Sequence, residues 1–259
     1  MLRLRQVCLI AHALEPVVGD LTAVLGLTVV HRDPAVAMFG LQNAILPVGD
    51  CFLEVVAPIE DGTAATRFLE RRGPGGYMVI LDTDDLAPWR SHLVEHGVRI
   101  AADLEVDGYN GLQLHPADTG GPLREINWSR GWETGAYHPA GAQWRPSLAA
   151  SDCLELREVL VAATAPEALA RRWAEILRHP VGPGLAIALD RGVVRLETAR
   201  LGGDGLSGIT VAAADPEAIR QAAVRRGCPV GPDHIEIGGI RIRLAATMPA
   251  PNAKPEGDR

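Results

Sequence analysis

Three polar side chains interrupt otherwise apolar strand faces, and their placement points to chemistry. Gln6 lies in phase with Cys8 and Ile10, Glu54 interrupts FLEVVAP in phase with Phe52 and Val56, and Glu125 interrupts PLREIN in phase with Leu123 and Asn127. A carboxylate inside such a strand either points to solvent or faces a cavity where it binds something. For a single glutamate the solvent face is the better expectation; for two at the same position of duplicated units, the cavity competes. In an apolar cleft Glu125 or Glu54 would have a raised pKa and could serve as a general base. Two candidate substrate contacts join them. Asn43, in phase with Ile45, either orients a carbonyl or starts a strand; His115, ending a strand ahead of a turn, either lines the mouth of a cleft or caps the turn. His12 and His31 lie near helix or loop ends and receive no role. The GPGG at 73–76 is no phosphate loop, because no Lys-Ser/Thr follows and a strand comes next.

The elements that must position these residues repeat. Asp85-Leu86-Ala87-Pro88-Trp89-Arg90 leads, twelve residues after its aspartate, to Gly97; Asp215-Pro216-Glu217-Ala218-Ile219-Arg220 leads to Gly227 at the same separation. Each follows an alternating strand, YMVILDT over 77–83 or GITVAAA over 208–214. A strand, an Asp at the helix start, an amphipathic helix and a terminating Gly, used twice, indicate duplication. The fold expected is α+β: β-α-β-β-β units in two tandem domains. The first domain spans 1–128, with extended pieces at 4–11, 36–41, 43–47 and 52–57 and a helical insert near 63–72. An aromatic-rich linker spans 129–151, a shorter second domain 152–247 without the insert, and a disordered tail 248–259. The linker holds Trp132, Tyr137 and Trp144, which either anchor one domain against the other, the favoured reading, or form a lid over a pocket.

Bulk properties narrow the class. At 259 residues the chain has length for one large domain or two small ones. A net charge of −7 with no basic stripe argues against nucleic acid. No apolar run reaches membrane-spanning length, and the amino terminus reads as a strand, not a secretory leader, so a cytoplasmic protein is expected. Cys8, Cys51, Cys153 and Cys228 are scattered without C-x-x-C spacing, as suits reduced, mostly buried thiols.

The β-α-β-β-β units, the LRQVCLIAHALEP opening, FLEVVAP, and GGYMVILDTDDL with a later GGPLREI resemble the vicinal oxygen chelate superfamily, more narrowly its bacterial glyoxalase-like proteins. The resemblance is good over 1–128 and weaker over 152–247. It implies a metal held by one side chain from the first and one from the fourth strand of each unit. Position by position, the first unit offers Gln6 and Glu54, the second Met78 and Glu125. Met78 stands where a histidine is expected, and a thioether is a poor ligand for Zn²⁺, Ni²⁺, Mn²⁺ or Fe²⁺ in such sites. Tyr77 beside it should point to the other face. Three oxygen donors would still hold a hard cation with waters, so the divalent metal is weakened, not removed. Glu158, Glu197, Gly208 and Arg243 fall at the equivalent places of the second domain and make no chelate. The resemblance implies a small-molecule ligand in the first cleft and a homodimer. Its chemistry would be a lyase or isomerase abstracting a proton next to a carbonyl. Metal-free binding without catalysis, with Met78 packing as a wall of the cleft against the ligand, is the alternative, and extradiol dioxygenase chemistry fits worst for want of two histidines.

Overall fold

In a computed structural model that describes residues 1–141, 143–150, 153–199 and 203–247, the alternating runs form two seven-stranded mixed sheets. The first unit supplies β1 (Leu2–Ile10), α1 (Leu14–Leu25), β2 (Leu41–Val48) and β3 (Cys51–Pro58). After the inserted helix α2 (Ala64–Arg72), the second supplies β4 (Gly75–Thr83), α3 (Ala87–Glu95), β5 (Ile100–Val106), β6 (Tyr109–Leu114), the single turn α4 (Pro116–Thr119) and β7 (Leu123–Ser129). The third comprises β8 (Cys153–Ala163), α5 (Pro166–Leu177), β9 (Val181–Gly182), β10 (Ala186–Ala188) and β11 (Val193–Thr198). The fourth comprises β12 (Gly205–Ala213), α6 (Pro216–Arg226), β13 (His234–Ile237) and β14 (Ile240–Ala246). Strand orders 2-3-1-4-7-6-5 and 13-14-12-8-11-10-9 place two units side by side in each sheet, joined through their first strands. The tandem β-α-β-β-β architecture is therefore present.

One expected strand is absent. Of residues 36–41 only Leu41, the first of β2, is extended; Pro34–Phe39 is a 3-10 helix, because the Asp33 carboxylate accepts the Ala35 N–H, Pro34 fixes the first φ and Gly40 ends the turn at φ 69°. The first unit thus contributes three strands. The remnant of a fourth is a bridge between His31 and Ile45, with the Val30 N–H donating to the Ile45 carbonyl at 2.9 Å. The fourth unit is shortened in the same way, its remnant the Val230–Ile235 bridge. The repeated Asp-to-Gly register is also realised unequally. Asp215 caps α6 by accepting the Ala218 N–H at 3.0 Å, whereas Asp85 stands just outside α3 and accepts the Ala87 N–H at 2.9 Å.

The two sheets share one core. Val7 and Leu9 of β1, Val79 and Leu81 of β4, Val159 and Val161 of β8, and Ile209 and Val211 of β12 pack with the apolar stripes of α1, α3 and α5. Fully burying each such side chain contributes about 1.5–3 kcal/mol before chain entropy is charged against it. Trp173 of α5, with no exposed surface, donates its indole N–H to the Thr119 carbonyl at 2.8 Å and ties the third unit to the second. At the joint between β4 and β12 the backbones approach so closely that a Cβ on Gly76 would sit 2.4 Å from the Leu206 carbonyl oxygen. No helix among the described residues is long and apolar enough to cross a membrane. The tail expected from residue 248 onward lies outside the described residues.

On the concave face of the first sheet, opposite the shared core, three of the sheet's four β-bulges re-aim side chains; the fourth lies between Ile100 and Ala102 in β5, at the sheet edge. Pairing slips between Leu4 and Gln6 leave Arg5 extra in β1, and between Cys8 and Leu9 leave Tyr77 extra in β4. A third slip, between Val79 and Ile80, leaves Arg124 extra in β7. A bulge inserts one residue and re-aims the side chains that follow it. Two sequence expectations change accordingly. Leu123 belongs to the shared core and is not in phase with Glu125, and Tyr77 does not turn away from Met78, since both pack on the cluster of Cys8, Ile10 and Leu69.

Candidate functional site

Glu54 is the centre of the first cluster. It lies on β3 beside Cys8 of β1 and is 7 % exposed. Gln6 donates its side-chain N–H to Glu54 Oε2 at 2.7 Å, and Asn43 on β2 donates to Oε1 at 2.7 Å. Asn43 has no freedom to reverse, because its own Oδ1 accepts the Asp33 N–H at 2.7 Å. Burial pushes the Glu54 pKa above the ordinary carboxylate value. Hydrogen bonds from Asn43 and Cys8 pull it back, and the charge of Glu125 pushes it further up. Burial and the Glu54 charge together hold the Cys8 thiol well above its usual range, which favours the protonated thiol as a donor to Glu54.

Glu125 of β7 organises the second cluster from the neighbouring unit, and it is 6 % exposed. It accepts the Tyr109 hydroxyl in a short hydrogen bond, the Asn127 amide at 2.8 Å and the Gln113 amide at 3.4 Å. Gly111 of β6 makes this possible: a Cβ there would lie 2.9 Å from the Tyr109 hydroxyl and 3.2 Å from Glu125 Oε1. Burial and the Glu125 charge keep Tyr109 protonated well beyond its ordinary range. Two amide oxygens, Gln6 Oε1 and Asn127 Oδ1, are buried with no donor. Unpaired buried acceptors are costly and uncommon in folded proteins.

The walls are apolar. Under α2, Cys8, Ile10, Val56, Leu69 and Tyr77 pack together, with Met78 alongside. At the other end Ile45 and Phe52 meet Tyr137 and Trp144; Phe52 stacks on Tyr137 at 4.9 Å between centroids and meets Trp144 edge-on at 5.0 Å. The aromatic segment is thus a cover strapped to the concave face of the first sheet. Arg5, with no exposed surface, reaches across it, its guanidinium carbon 4.8 Å from the Tyr137 ring centre, and Arg3 lies 4.2 Å from the Trp132 ring centre. Clustering of Trp and Tyr between Gly and Pro signals this segment in the sequence; no sequence signal ties it to Arg3 and Arg5.

Of the expected site residues, Gln6, Asn43, Glu54 and Glu125 come together on this face, and Met78 lines its wall. His115 does not join them. It caps α4 by accepting the Ala117 N–H at 3.3 Å and sits against the Arg99–Asp118 ion pair. In the second sheet the corresponding carboxylates are neutralised locally: Glu158 pairs with Arg195 at 2.7 Å, and Glu197 with Arg241 and Arg243.

The donor set on the first sheet does not fit a metal chelate. Gln6 Oε1 is free to meet a cation, but both Glu54 oxygens already accept amide N–H groups, Glu125 is engaged by three donors, and the fourth position is the Met78 thioether. Among the described residues no group of three or more His, Cys, Asp or Glu side chains is arranged to hold a metal ion. Met78→His, which supplies the imidazole alone, is therefore expected to purify without stoichiometric zinc, nickel, manganese or iron. Near-stoichiometric metal by elemental analysis would show that the glutamates are available as ligands after all.

Residues 7–177, more than half of the chain, match the family described as glyoxalase-like domain. No curated protein matches. Among solved structures, a hypothetical protein from Staphylococcus aureus aligns over 95 % of this chain and 100 % of its own, with a TM-score of 0.67 and 12 % identity. Methylmalonyl-CoA epimerase from Mycobacterium tuberculosis aligns over 49 % of this chain and 87 % of its own, at 22 % identity and a TM-score of 0.43. A methylmalonyl-CoA epimerase in complex with methylmalonyl-CoA aligns over 49 % and 94 %, at 22 % identity and a TM-score of 0.45. These likenesses concern the fold. With its tandem β-α-β-β-β units and the match over 7–177, the chain belongs to the glyoxalase-like domain family of the vicinal oxygen chelate superfamily.

Proposed function

We propose that the concave face of the first sheet binds a small oxygenated compound and moves a proton at the carbon next to its carbonyl, with Glu54 as the base. One observation carries the reading: two buried carboxylates, Glu54 and Glu125, sit on one face, and burial raises the proton affinity of Glu54 above that of an ordinary carboxylate. In the step, the C–H bond breaks, its proton goes to a Glu54 oxygen, and its electron pair moves to the carbonyl oxygen as an enolate. Return of the proton by Glu54 to the same face gives exchange alone; delivery of a proton to the opposite face of that carbon, or to a neighbouring carbon, completes an isomerisation. Gln113, whose amide reaches Glu125 only at 3.4 Å, is the loosest donor in the cluster and the one free to turn toward the developing oxyanion. No step uses a metal, because the donor set does not fit one.

A second reading, ligand binding without catalysis, draws support from the full hydrogen-bond shell of Glu54. Deuterium exchange separates the two. Hemithioacetals, 2-oxo acids and branched thioesters, incubated in D2O with the protein and followed by proton NMR, should include one class whose α-proton exchanges faster than without protein. Binding of a compound with an unchanged exchange rate would favour the second reading.

A further inference from the structure

Among the described residues, every arginine in a strand but one has an acidic partner, Arg157 with Glu155 included. Arg3 and Arg5 share Asp82, Arg195 has Glu158, and Arg241 and Arg243 have Glu197. Arg124 is the exception: among the described residues no carboxylate pairs with it. It is half-buried at the bulge of β7, immediately before Glu125, with its guanidinium carbon 5.9 Å from the centre of the Tyr77 ring. Burial works against its charge, and the Tyr77 phenol is the one side chain that supports it. Tyr77 is fixed in turn by Phe68 of α2, their rings 4.9 Å apart edge-on, and by the apolar cluster around Cys8. A partly desolvated guanidinium is costly unless an anion meets it. Arg124 reaches this position only because a residue is inserted into β7 there, so the register slip delivers an unpaired cation to the glutamate face.

We infer that Arg124 and Tyr77 form an anion subsite that holds the carboxylate of the compound on which Glu54 acts. This rests on the proposed function for the identity of the site, but not for the binding itself. Carboxylate is favoured over phosphate by charge. One guanidinium balances one negative charge, and a second would meet Glu54 and Glu125 on the same face. Geometry agrees: the planar fork of an arginine accepts a carboxylate through two parallel N–H···O bonds, with the Tyr77 hydroxyl beside it as a third donor. The two orphaned acceptors, Gln6 Oε1 and Asn127 Oδ1, then suit a donor on the same compound, such as a hydroxyl near the carboxylate. The substrate class is a small hydroxy or oxo carboxylic acid, or an ester of one that keeps a free carboxylate.

The test uses simple probes on the full chain. The Arg124 Nε–H resonance, assigned by its loss in Arg124→Lys, is followed by NMR while acetate, acetamide or inorganic phosphate is added at constant ionic strength. Acetate is expected to shift it saturably with millimolar affinity, acetamide to leave it unmoved, and phosphate to bind roughly tenfold more weakly than acetate. Arg124→Gln should abolish the acetate response of neighbouring resonances, including that of Tyr77. A shift with acetamide equal to that with acetate, or none that saturates with acetate, overturns the subsite; tighter binding of phosphate overturns the carboxylate assignment. If wild type binds acetate saturably yet exchanges no α-proton of any compound class, the proposed chemistry is overturned and the anion subsite stands.

Discussion

Glu54→Gln is expected to abolish α-proton exchange, by about 10²–10⁴-fold, the usual contribution of a positioned base, and at the same time to make the protein more stable. The two effects share a cause. Burial raises the folded-state pKa of Glu54 above its value in the unfolded chain. Folding therefore favours the protonated form, and the stability this contributes is complete below the ordinary glutamate range and is lost as pH rises through the raised pKa. Above that pH the native state carries a desolvated charge that glutamine would not. The substituted amide can be accommodated without stranding a donor. Asn43 is fixed and continues to donate to the oxygen of the new side chain, and a reversal of the Gln6 amide, which turns its N–H groups to where the unpaired Oε1 stood, lets that oxygen accept the new N–H. The gain is expected to be about 1 kcal/mol, or about 2–4 °C in Tm for a chain of this size. It should be absent in acid, grow as pH rises through the raised pKa, and then level off. Thermal melts across pH would decide it: a variant less stable than wild type at neutral pH would mean that the carboxylate charge is better satisfied than its burial implies.

Much of this is legible in the sequence, and the limits are instructive. The repeated aspartate-to-glycine helices and their flanking strands specify the tandem units, because a period of two followed by a period of 3.6 is written into the apolar positions themselves. Gln6, Asn43, Glu54 and Glu125 stand out for the same reason, as polar residues on apolar faces. What alternation cannot supply is the place where it slips. Arg5, Tyr77 and Arg124 each occupy a bulge, and counting by twos across a bulge puts the next residue on the wrong face. Alternation therefore turns Tyr77 outward and passes over Arg124, although both lie next to residues that it singles out. The 3-10 turn at Pro34–Phe39 escapes because apolar residues spaced as a short strand also suit a capped turn, and the deciding signals, Asp33-Pro34 and Gly40, lie at its ends.

Asp82→Asn should be among the most destabilising single changes in the first sheet, costing about 3–5 kcal/mol, because it leaves two guanidiniums buried without a counter-charge. Asp82 has no exposed surface. It accepts from Arg3 at 2.5 and 2.8 Å and lies 3.3 Å from Arg5 Nε. Burial works against the charge of Arg5, and Asp82 is the principal group that supports it. Both arginines turn their other faces to the aromatic cover, Arg3 to Trp132 and Arg5 to Tyr137 and Trp144, with Phe52 of β3 also beside Arg5. Losing the aspartate therefore releases the cover from the concave face as well as weakening the sheet. The expected readouts are a Tm lower by roughly 10 °C and a red-shifted tryptophan emission at temperatures where the chain is still folded. Adding Arg5→Met to Asp82→Asn removes one uncompensated charge and keeps an apolar body against Phe52, so the double variant should recover part of the loss despite carrying one more substitution. If instead the double variant is less stable than Asp82→Asn by the full cost of losing Arg5, the guanidinium holds the aromatic cover through its ring contacts and backbone carbonyl bonds, and Asp82 is incidental to it.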